Sequence, residues 1–243
     1  MKKILIQTGD VMRAEKAAVL GLLCTAGASE ASVVRSSLDQ LSEMDGLAPD
    51  YVPIGSVEFC LARMGRLGIA RPPHMSYPPA LRDYLKREIV ARHYADVAPG
   101  AFVKPVDTVK LFTGHLKGAA HPEDAALLQN AADLLVWTCV PVEFNSEVRY
   151  YIIDGEVAGH GRYDNGPDDA DIPDMQVVKA AVSVMNRARP PAGYALDFGV
   201  TRAGTSLVEA NDGWALGLYR SPFMAAEDYL HLLSARWREI ISQ

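Results

Sequence analysis

The sequence predicts an α+β fold whose second half is rich in antiparallel strands. Helical and strand patterns mix without the regular strand–helix–strand repeat of a parallel sheet. Asp154-Gly155 separates two strand-like stretches and is a strong hairpin turn signal. A second pair of strand-like stretches, residues 194–200 and 206–211, flanks the short segment 202–204. Together these two hairpins predict an antiparallel sheet in the C-terminal half.

The first 98 residues predict a small α/β domain. Residues 3–6 are expected to form a strand and residues 11–23 a helix. Ser56 is suited to cap a clearer helix, which Gly68 can close. The segment 71–79 holds four prolines and is expected to be a connector, because proline is excluded from helix interiors and central strands. A helix over residues 79–93 is expected to follow.

The rest of the chain predicts two further lobes, residues 99–141 and 142–243. The first is expected to contain strands at 101–105, 109–114 and 134–140, and a helix over 121–132. The second is expected to contain both hairpins, an acidic loop over 164–174, a helix from Pro173 to residue 187, and an amphipathic C-terminal helix. A chain of 243 residues suffices for one large domain or for two to three small lobes around a shared cleft.

Composition and charge exclude several classes of protein. The formal net charge of −6 argues against nucleic acid as the main partner. No apolar stretch approaches the ~18–20 residues of a membrane span, and the N-terminal apolar stretch is too short for a signal peptide. Cys24, Cys60 and Cys139 lack zinc-ligand spacing and are expected to be reduced, mostly buried thiols. We therefore expect a soluble cytoplasmic protein without a membrane partner; the sequence leaves its oligomeric state open, a homodimer included.

Two acidic residues lie within apolar strands of the C-terminal half. Asp197 lies in YALDFGV and Glu209 in SLVEAN, with Asn211 on the same strand face as Glu209. A carboxylate in a buried strand is costly unless it is paired, and no Lys or Arg of these strands has the alternation to pair both acids. A cation is therefore expected, and three oxygen ligands suit Mg²⁺. The alternative is an edge hairpin whose acids face solvent.

The turn between these strands determines whether the three side chains share a face. An odd-length turn centred on Ala203 places Asp197 opposite Glu209, and one centred on Gly204 places Asp197 opposite Asn211. A two-residue turn places Asp197 on the other face. The metal site therefore predicts an odd-length turn.

The pattern D-x₁₁-E-x-N on two late strands resembles the metal-binding signature of ATP-grasp enzymes. FVKP resembles their phosphate-binding strand, VWTCVPVEF resembles the hinge that lines adenine, and NSEVRYYIIDGEV resembles the segment that follows. The order of these pieces over about residues 102–219 is similar to a small clade marked by one arginine and two lysines, here Arg149, Lys104 and Lys110. The glycine-rich flap over the phosphates is shorter than in the family, with only Gly114 and Gly118.

The resemblance implies an ATP-grasp fold in which the two α+β lobes grip ATP, preceded by the N-terminal α/β domain on the substrate side. It implies ATP and Mg²⁺ as cofactors, with Asp197, Glu209 and Asn211 as the metal ligands. The residues that it implies for catalysis offset phosphate charge or orient the acceptor, and they are Arg149, Arg162 and Lys110. The residues that it implies for nucleotide binding are Lys104, Lys110, Trp137, Thr138, Cys139, Val140 and Glu147.

The implied reaction is the ATP-dependent joining of a carboxylate to an amine through an acyl phosphate. The expected partners are small-molecule or peptide carboxylate and amine substrates, with an amino acid or a peptide favoured. One alternative is a kinase of a small-molecule hydroxyl, and another is an inactive nucleotide-binding module. Three local alternatives also stay open: Lys104 as a solvated strand end, Glu147 and Arg149 paired with each other, and Ser56 as a helix cap instead of a site for a substrate carboxylate.

Overall fold

The computed structural model describes residues 3–9, 11–25, 33–107, 111–118, 121–164, 170–219, 221 and 223–243. Within these residues the chain forms eleven strands in three sheets and six α-helices. One sheet is parallel and two are antiparallel, so the predicted α+β class is confirmed. Among the described helices, none combines the length and the apolar character that a membrane span requires.

The N-terminal unit is a parallel sheet of order β2-β1-β3 with three helices. Its elements are β1 (Ile4–Gln7), α1 (Arg13–Thr25), β2 (Val33–Ser36), α2 (Leu38–Glu43), β3 (Val52–Ile54) and α3 (Val57–Arg66). The central strand β1 is fully buried, which explains its unbroken apolar sequence. The Ser56 hydroxyl accepts a hydrogen bond from the Phe59 amide at 3.2 Å, so the predicted helix cap is confirmed. Gly68, at φ +69°, follows the end of α3 as predicted.

The predicted helix over residues 79–93 is wrong. Residues Pro79–Tyr84 form only a short 3₁₀ helix, and the chain then continues to the strand β4 (Val90–His93). Lys86 has φ +48°, which no helix can continue through. Leu81 and Leu85 pack against the large C-terminal sheet, so tertiary contacts override the helical sequence pattern of this segment.

The second sheet has the order β4-β7-β5-β6 and is antiparallel. Its later elements are β5 (Phe102–Pro105), β6 (His115–Leu116), α4 (Pro122–Asn130) and β7 (Leu135–Cys139). The strand expected at 109–114 is not found over residues 111–114, and residues 108–110 lie outside the described part; the local strand is β6. Because β4 precedes residue 98 and pairs with β7, this sheet draws on both sides of that predicted boundary. The domain boundaries stay a prediction.

The third sheet has the order β11-β10-β8-β9 and is antiparallel. It comprises β8 (Ser146–Ile153), β9 (Glu156–Arg162), β10 (Gly193–Thr201) and β11 (Gly204–Asp212), and its helices are α5 (Met175–Arg187) and α6 (Ala226–Ile241). The predicted turn at Asp154-Gly155 is confirmed, with both residues at positive φ. Pro173 is not the first residue of α5: Asp174 caps the helix by accepting from the Gln176 amide at 2.8 Å, and an aspartate suits that position.

The third sheet is covered on both faces, and each face packs against different elements. Tyr150 and Leu196 pack with α5 on one face. Tyr151 and Ala195 pack on the other face with α6 and with β1 and β3 of the N-terminal unit. Since side chains alternate along a strand, Arg149 and Asp197 share the face of Tyr151 and Ala195. The predicted acids therefore lie where the third sheet (β8–β11, the large sheet), the second sheet (β4–β7, the small sheet) and the N-terminal unit meet.

Candidate active site

The turn between β10 and β11 has two residues, Arg202 and Ala203, and not the odd-length turn that the sequence argument required. Thr201 is opposite Gly204, and this register continues until Phe198 is opposite Leu207. A β-bulge at Val208 then shifts the pairing, so that Asp197 is directly opposite Glu209. The predicted juxtaposition is therefore present, but it depends on a bulge that the turn arithmetic did not include.

Arg87 holds the bulged strand in place. Its guanidinium donates to the carbonyl of Leu207 at 2.7 Å and to the carbonyl of Val208 at 3.0 Å. The Ser206 hydroxyl donates to the carbonyl of Leu85 at 2.7 Å from the same stretch. The two Arg87 bonds satisfy carbonyls at the bulge, and all three bonds tie the segment that precedes β4 to the site.

Asp197, Glu209 and Asn211 form one polar cluster. Asp197 is only 1% exposed. The Asn211 amide nitrogen donates to Asp197 Oδ2 at 3.0 Å and to Glu209 Oε1 at 3.2 Å, so it lies between the two carboxylates. The three side chains whose oxygens were predicted to bind a metal therefore converge on one point.

Two basic residues from outside this hairpin neutralise the two acids. Arg149, directly opposite Asp197 on β8, donates Nε to Oδ1 at 2.8 Å and Nη2 to Oδ2 at 2.7 Å. Lys104 on β5 donates to Glu209 Oε2 from across the cleft. Neighbouring strands supply these charges, so the alternation of residues within β10 and β11 could not reveal them. Two acids and two basic groups of the protein therefore balance in charge within the cluster.

The pKa values in the cluster follow burial and these ion pairs. Burial raises the pKa of Asp197, although the charge of Arg149 acts in the opposite direction. Burial acts to raise the pKa of Glu209 as well, but Lys104 and Asn211 outweigh it and hold the pKa below its ordinary value. Burial acts to lower the pKa of Arg149, and its pair with Asp197 raises it further than burial lowers it. Of the two acids in the cluster, Glu209 is thus the one held more firmly in the ionised form.

The donor set fits a magnesium ion. Two carboxylates and an amide converge, and Mg²⁺ prefers a few protein oxygens together with water and phosphate oxygens. A half-turn of the Asn211 amide would present Oδ1 in place of Nδ2 to the same point between the acids. Both basic partners, Arg149 and Lys104, would then be released for phosphate oxygens. The residues present are therefore compatible with the predicted Mg²⁺ and ATP.

A cleft of about 1240 Å³ opens over this cluster. Its walls come from the small sheet, the large sheet, the proline-rich connector and the N-terminal unit. The predicted site residues that line it are Lys104, Cys139, Glu147, Arg149, Glu209 and Asn211. Asp197 reaches the cleft through its contacts with Arg149 and Asn211.

The predicted hinge only partly faces the cleft. Cys139 lines it, and so do Pro141 and Val142. Thr138 is buried, and Val140 is 70% exposed. Trp137 packs edge-on against Tyr77 at 5.4 Å between ring centroids and lines a smaller pocket of about 530 Å³.

The other predicted residues have different surroundings. Glu147 does not pair with Arg149; its Oε2 accepts from the Tyr163 hydroxyl at 2.7 Å, so that local alternative is wrong. Arg162 is bound to Asp164, with Nη2 to Oδ1 at 2.6 Å, and lies outside the cleft lining. Lys110 lies outside the described residues. The free thiols include Cys60, which is buried, and Cys139, which is half-buried.

Two tyrosines that the sequence argument did not select complete the surroundings of Arg149. The guanidinium carbon lies 4.9 Å from the centre of the Tyr219 ring and 5.9 Å from that of Tyr163. The two rings stack with centroids 4.9 Å apart. The sequence could not predict that these tyrosines contact Arg149, because only the folded sheet and the loop after β11 bring them together.

Comparisons with known proteins place this geometry in a family. No curated protein matches the sequence significantly. Solved structures with a similar fold include D-alanine–D-alanine ligase from Bacillus anthracis complexed with ATP, at 13% identity and a TM-score of 0.55, covering 99% of this chain and 96% of that chain. D-cycloserine synthetase DcsG matches at 14% identity and a TM-score of 0.54, covering 98% and 99%. Macrocyclase MdnC from Microcystis aeruginosa MRC, bound with precursor peptide MdnA, matches at 11% identity and a TM-score of 0.52, covering 99% and 100%.

These similarities show the ATP-grasp fold, as the sequence predicted. The family model described as ATP-grasp domain, R2K clade family 3, matches residues 29–240, which is most of the chain. The resemblance inferred from D-x₁₁-E-x-N and the preceding segments is therefore confirmed at the level of the clade. The chain belongs to R2K clade family 3 of the ATP-grasp domain.

Proposed function

We propose that the protein is an ATP-dependent carboxylate–amine ligase that works through an acyl phosphate. The observation that carries the proposal is the cluster of Asp197, Glu209 and Asn211 on a cleft that Lys104 and Arg149 also line. This is the combination that phosphoryl transfer needs: ligands for a metal on the phosphates, and fixed cations where charge moves. D-alanine–D-alanine ligase and D-cycloserine synthetase share the fold, which agrees with the proposal.

The residues have distinct proposed roles. Asp197, Glu209 and Asn211 hold Mg²⁺, which when bound offsets charge on the ATP phosphates. Lys104 and Arg149 leave their carboxylate partners and bind phosphate oxygens. The Glu147 carboxylate accepts from the ribose hydroxyls, and the residues around Cys139 line the adenine. Lys110 adds a second phosphate-binding lysine, and Arg162 orients the acceptor once it is released from Asp164.

The reaction has two balanced steps. A carboxylate oxygen of the substrate bonds to the γ-phosphorus of ATP while the bond to the bridging oxygen breaks, which gives an acyl phosphate and ADP. A neutral amine then bonds to the acyl carbon, loses a proton, and displaces inorganic phosphate. The substrates proposed are amino acids or peptides, with small-molecule or peptide amines as acceptors. Residues 1–98 supply the substrate side of the cleft, since Ser56 and Val57 of this part line it.

The test is a screen of the purified protein with Mg²⁺ and ATP against amino acids and peptides. ADP and inorganic phosphate are followed together, and products are identified by mass spectrometry. Glu209→Ala is expected to lower ADP release at least 100-fold because the metal ligand is lost, with the fold retained in circular dichroism. Glu43→Ala, a change of an exposed acid on α2, is the matched control and should leave turnover unchanged.

Two outcomes would contradict the proposal. Full turnover by the Glu209→Ala variant would remove the metal assignment. A stable phosphorylated product in place of an amide would show a kinase, which uses the same ATP site without ligation.

A further inference from the structure

Glu15 is a buried carboxylate on the N-terminal wall of the cleft. It lies in the first turn of α1, is 8% exposed, and lines the cleft. Its Oε1 accepts one hydrogen bond, from the Leu218 amide at 2.8 Å. Among the described residues no cation pairs with it, because the neighbouring Lys16 donates to the Gln7 carbonyl at 3.2 Å instead.

The other acids that line the cleft differ from Glu15 in this respect. Glu209 is paired with Lys104, and Asp212 with Arg236 at 2.7 Å. Glu147 accepts from the Tyr163 hydroxyl. Within the described part of the cleft, Glu15 is thus the carboxylate that has a single backbone donor and neither a cation nor a hydroxyl. A buried carboxylate left in that state is costly, so a cationic group of a ligand would gain free energy by binding there.

The segment that faces Glu15 is held rigidly. The Tyr151 hydroxyl donates to the Gly217 carbonyl at 3.1 Å and accepts from the Tyr219 amide at 2.9 Å. The Tyr229 hydroxyl donates to the Leu216 carbonyl at 2.6 Å. The Leu218 amide is therefore a fixed donor, and it fixes the position of the Glu15 carboxylate in turn.

Glu15 also lies beside the proposed reaction centre. A Cβ placed on Gly217 would be 3.5 Å from Glu15 Oε1 and 3.8 Å from Arg149 Nη1. Glu15 Oε1 and Arg149 Nη1 are therefore within about 7 Å of each other at the cleft wall. In an amino acid the ammonium and the carboxylate are separated by one carbon, so an ammonium bound at Glu15 would place its carboxylate close to Arg149.

The other described residues of this wall are mostly apolar, with Ser56 as a polar exception, and none of them is basic. The apolar residues include Val11, Met12, Val57, Trp214 and Ala215. Such a wall favours a substrate with one ammonium group and a small or apolar side chain over a polyanion.

We propose that Glu15 binds the free ammonium group of the substrate whose carboxylate is activated, and that this substrate is an amino acid and not a peptide carboxylate. The inference rests on the proposed ligase function and narrows it, because the α-nitrogen of a peptide's C-terminal residue is an uncharged amide. Glu15 touches the substrate and sets specificity, while the transfer itself occurs at the phosphate beside Arg149.

The test uses hydroxylamine as the acceptor amine, since it converts an acyl phosphate into a hydroxamate whatever the natural acceptor is. Wild-type protein with Mg²⁺ and ATP is incubated with D-alanine, L-alanine and other apolar amino acids. In parallel it is given their N-acetyl forms and the carboxylates that lack the amine, such as propionate. Free amino acids are expected to give hydroxamate with kcat/KM at least tenfold above that of both analogue series.

The matched variants are Glu15→Gln and, as a control, the exposed Glu43→Gln. The glutamine keeps an oxygen for the Leu218 amide but removes the charge. It is expected to lower kcat/KM for amino acids at least tenfold, to leave the analogue carboxylates unchanged, and to leave the Kd of ATP unchanged. The control is expected to match the wild type in all three.

The outcomes separate the two proposals. Equal hydroxamate from N-acetylated and free amino acids, or wild-type kcat/KM in Glu15→Gln, would overturn the ammonium site while the ligase function stands. No hydroxamate and no ADP from any carboxylate would overturn the ligase function, and the ammonium site with it. The analogue series needs only the wild-type protein, so a variant that failed to fold would not prevent a decision.

Discussion

Two buried carboxylates, Asp124 in the small sheet's helix α4 and Asp197 in the large sheet, have opposite relations to the protein around them. Asp124 accepts from the Tyr94 hydroxyl, from His115 Nε2 at 2.8 Å and from the Gly118 amide, all within the small-sheet unit. Asp197 is held by Arg149 on the cleft wall, beside Glu209, which Lys104 holds from the opposite lobe. The described residues of the first network do not line the cleft, whereas Lys104, Arg149 and Glu209 of the second do.

The contrast shows that a buried charge does not by itself indicate a functional site. Asp124 organises the segment that follows β6, and its partners are the Tyr94 hydroxyl, His115 and the Gly118 amide. The pair of Asp197 and Arg149 instead places a full positive charge beside a space that can admit phosphate. What distinguishes the two is whether a ligand can replace the partner.

The largest effect is expected when the partner of Asp197 is removed. Arg149→Met leaves Asp197 buried without its cation, which should lower the free energy of unfolding by about 3–5 kcal/mol. Because burial already raises the pKa of Asp197, the loss should grow as the pH rises and this acid must ionise. Chemical denaturation at two pH values measures both effects.

The effect of Mg²⁺ on the Tm of the same variant provides a second measurement. If the cluster binds Mg²⁺, added MgCl₂ should raise the Tm of Arg149→Met more than that of the wild type, because the metal replaces the missing charge. A variant as stable as the wild type, with no response to Mg²⁺, would count against the buried pair as the basis of the site.

Much of this comparison could be predicted from the sequence, and the missing parts have physical reasons. The local pattern of acids in apolar strands identified Asp197 and Glu209, and family resemblance ordered Lys104, Glu147 and Arg149 along the chain. The bulge at Val208 could not be predicted, because it depends on Arg87, about 120 residues earlier, which holds the extra carbonyls. Charge pairing was missed for the same reason, since Arg149 lies on a different strand.

The helix predicted over residues 79–93 failed because the pattern of a short amphipathic segment does not reveal which surface it will meet. Leu81 and Leu85 reach the large sheet, and Val90–His93 pairs with β7, so both ends of the segment are drawn away from a helix. The hairpin of β8 and β9 was easier to predict, since its turn carries the local signal Asp154-Gly155. The turn of the β10–β11 hairpin has no such signal, and its length was predicted wrongly.

The next largest effect is expected for the stability at low pH, which should depend on the Asp124 network. The hydrogen bonds from Tyr94, His115 and Gly118 outweigh burial and lower the pKa of Asp124 from 3.8 to about 2. A carboxyl whose folded-state pKa is lowered stabilises the protein fully above its ordinary pKa, and this stabilisation is lost as the pH falls from about 4 toward about 2. Unfolding followed over that range should show a steeper loss for the wild type than for Asp124→Asn, while ATP affinity at neutral pH stays the same in both. Parallel pH curves would show that Asp124 is not the group that titrates.

The smallest effect on stability is expected at Lys104, which is where the effect on ligand binding should be clearest. The side chains of Lys104 and Glu209 are 20% and 24% exposed, so their ion pair is partly screened and should contribute roughly 1 kcal/mol or less. Lys104→Ala should therefore change the Tm without ATP only slightly.

The loss of a phosphate contact in Lys104→Ala should weaken ATP binding about tenfold, which corresponds to about 1.4 kcal/mol. Calorimetric titration with Mg²⁺ and a non-hydrolysable ATP analogue measures the affinity, and the exposed Lys179→Ala on α5 serves as the control. Equal ATP affinity in Lys104→Ala and wild type would mean that this lysine only bridges the lobes. The exchange of a protein partner for phosphate would then be limited to Arg149 and would not include the lysine of the small sheet.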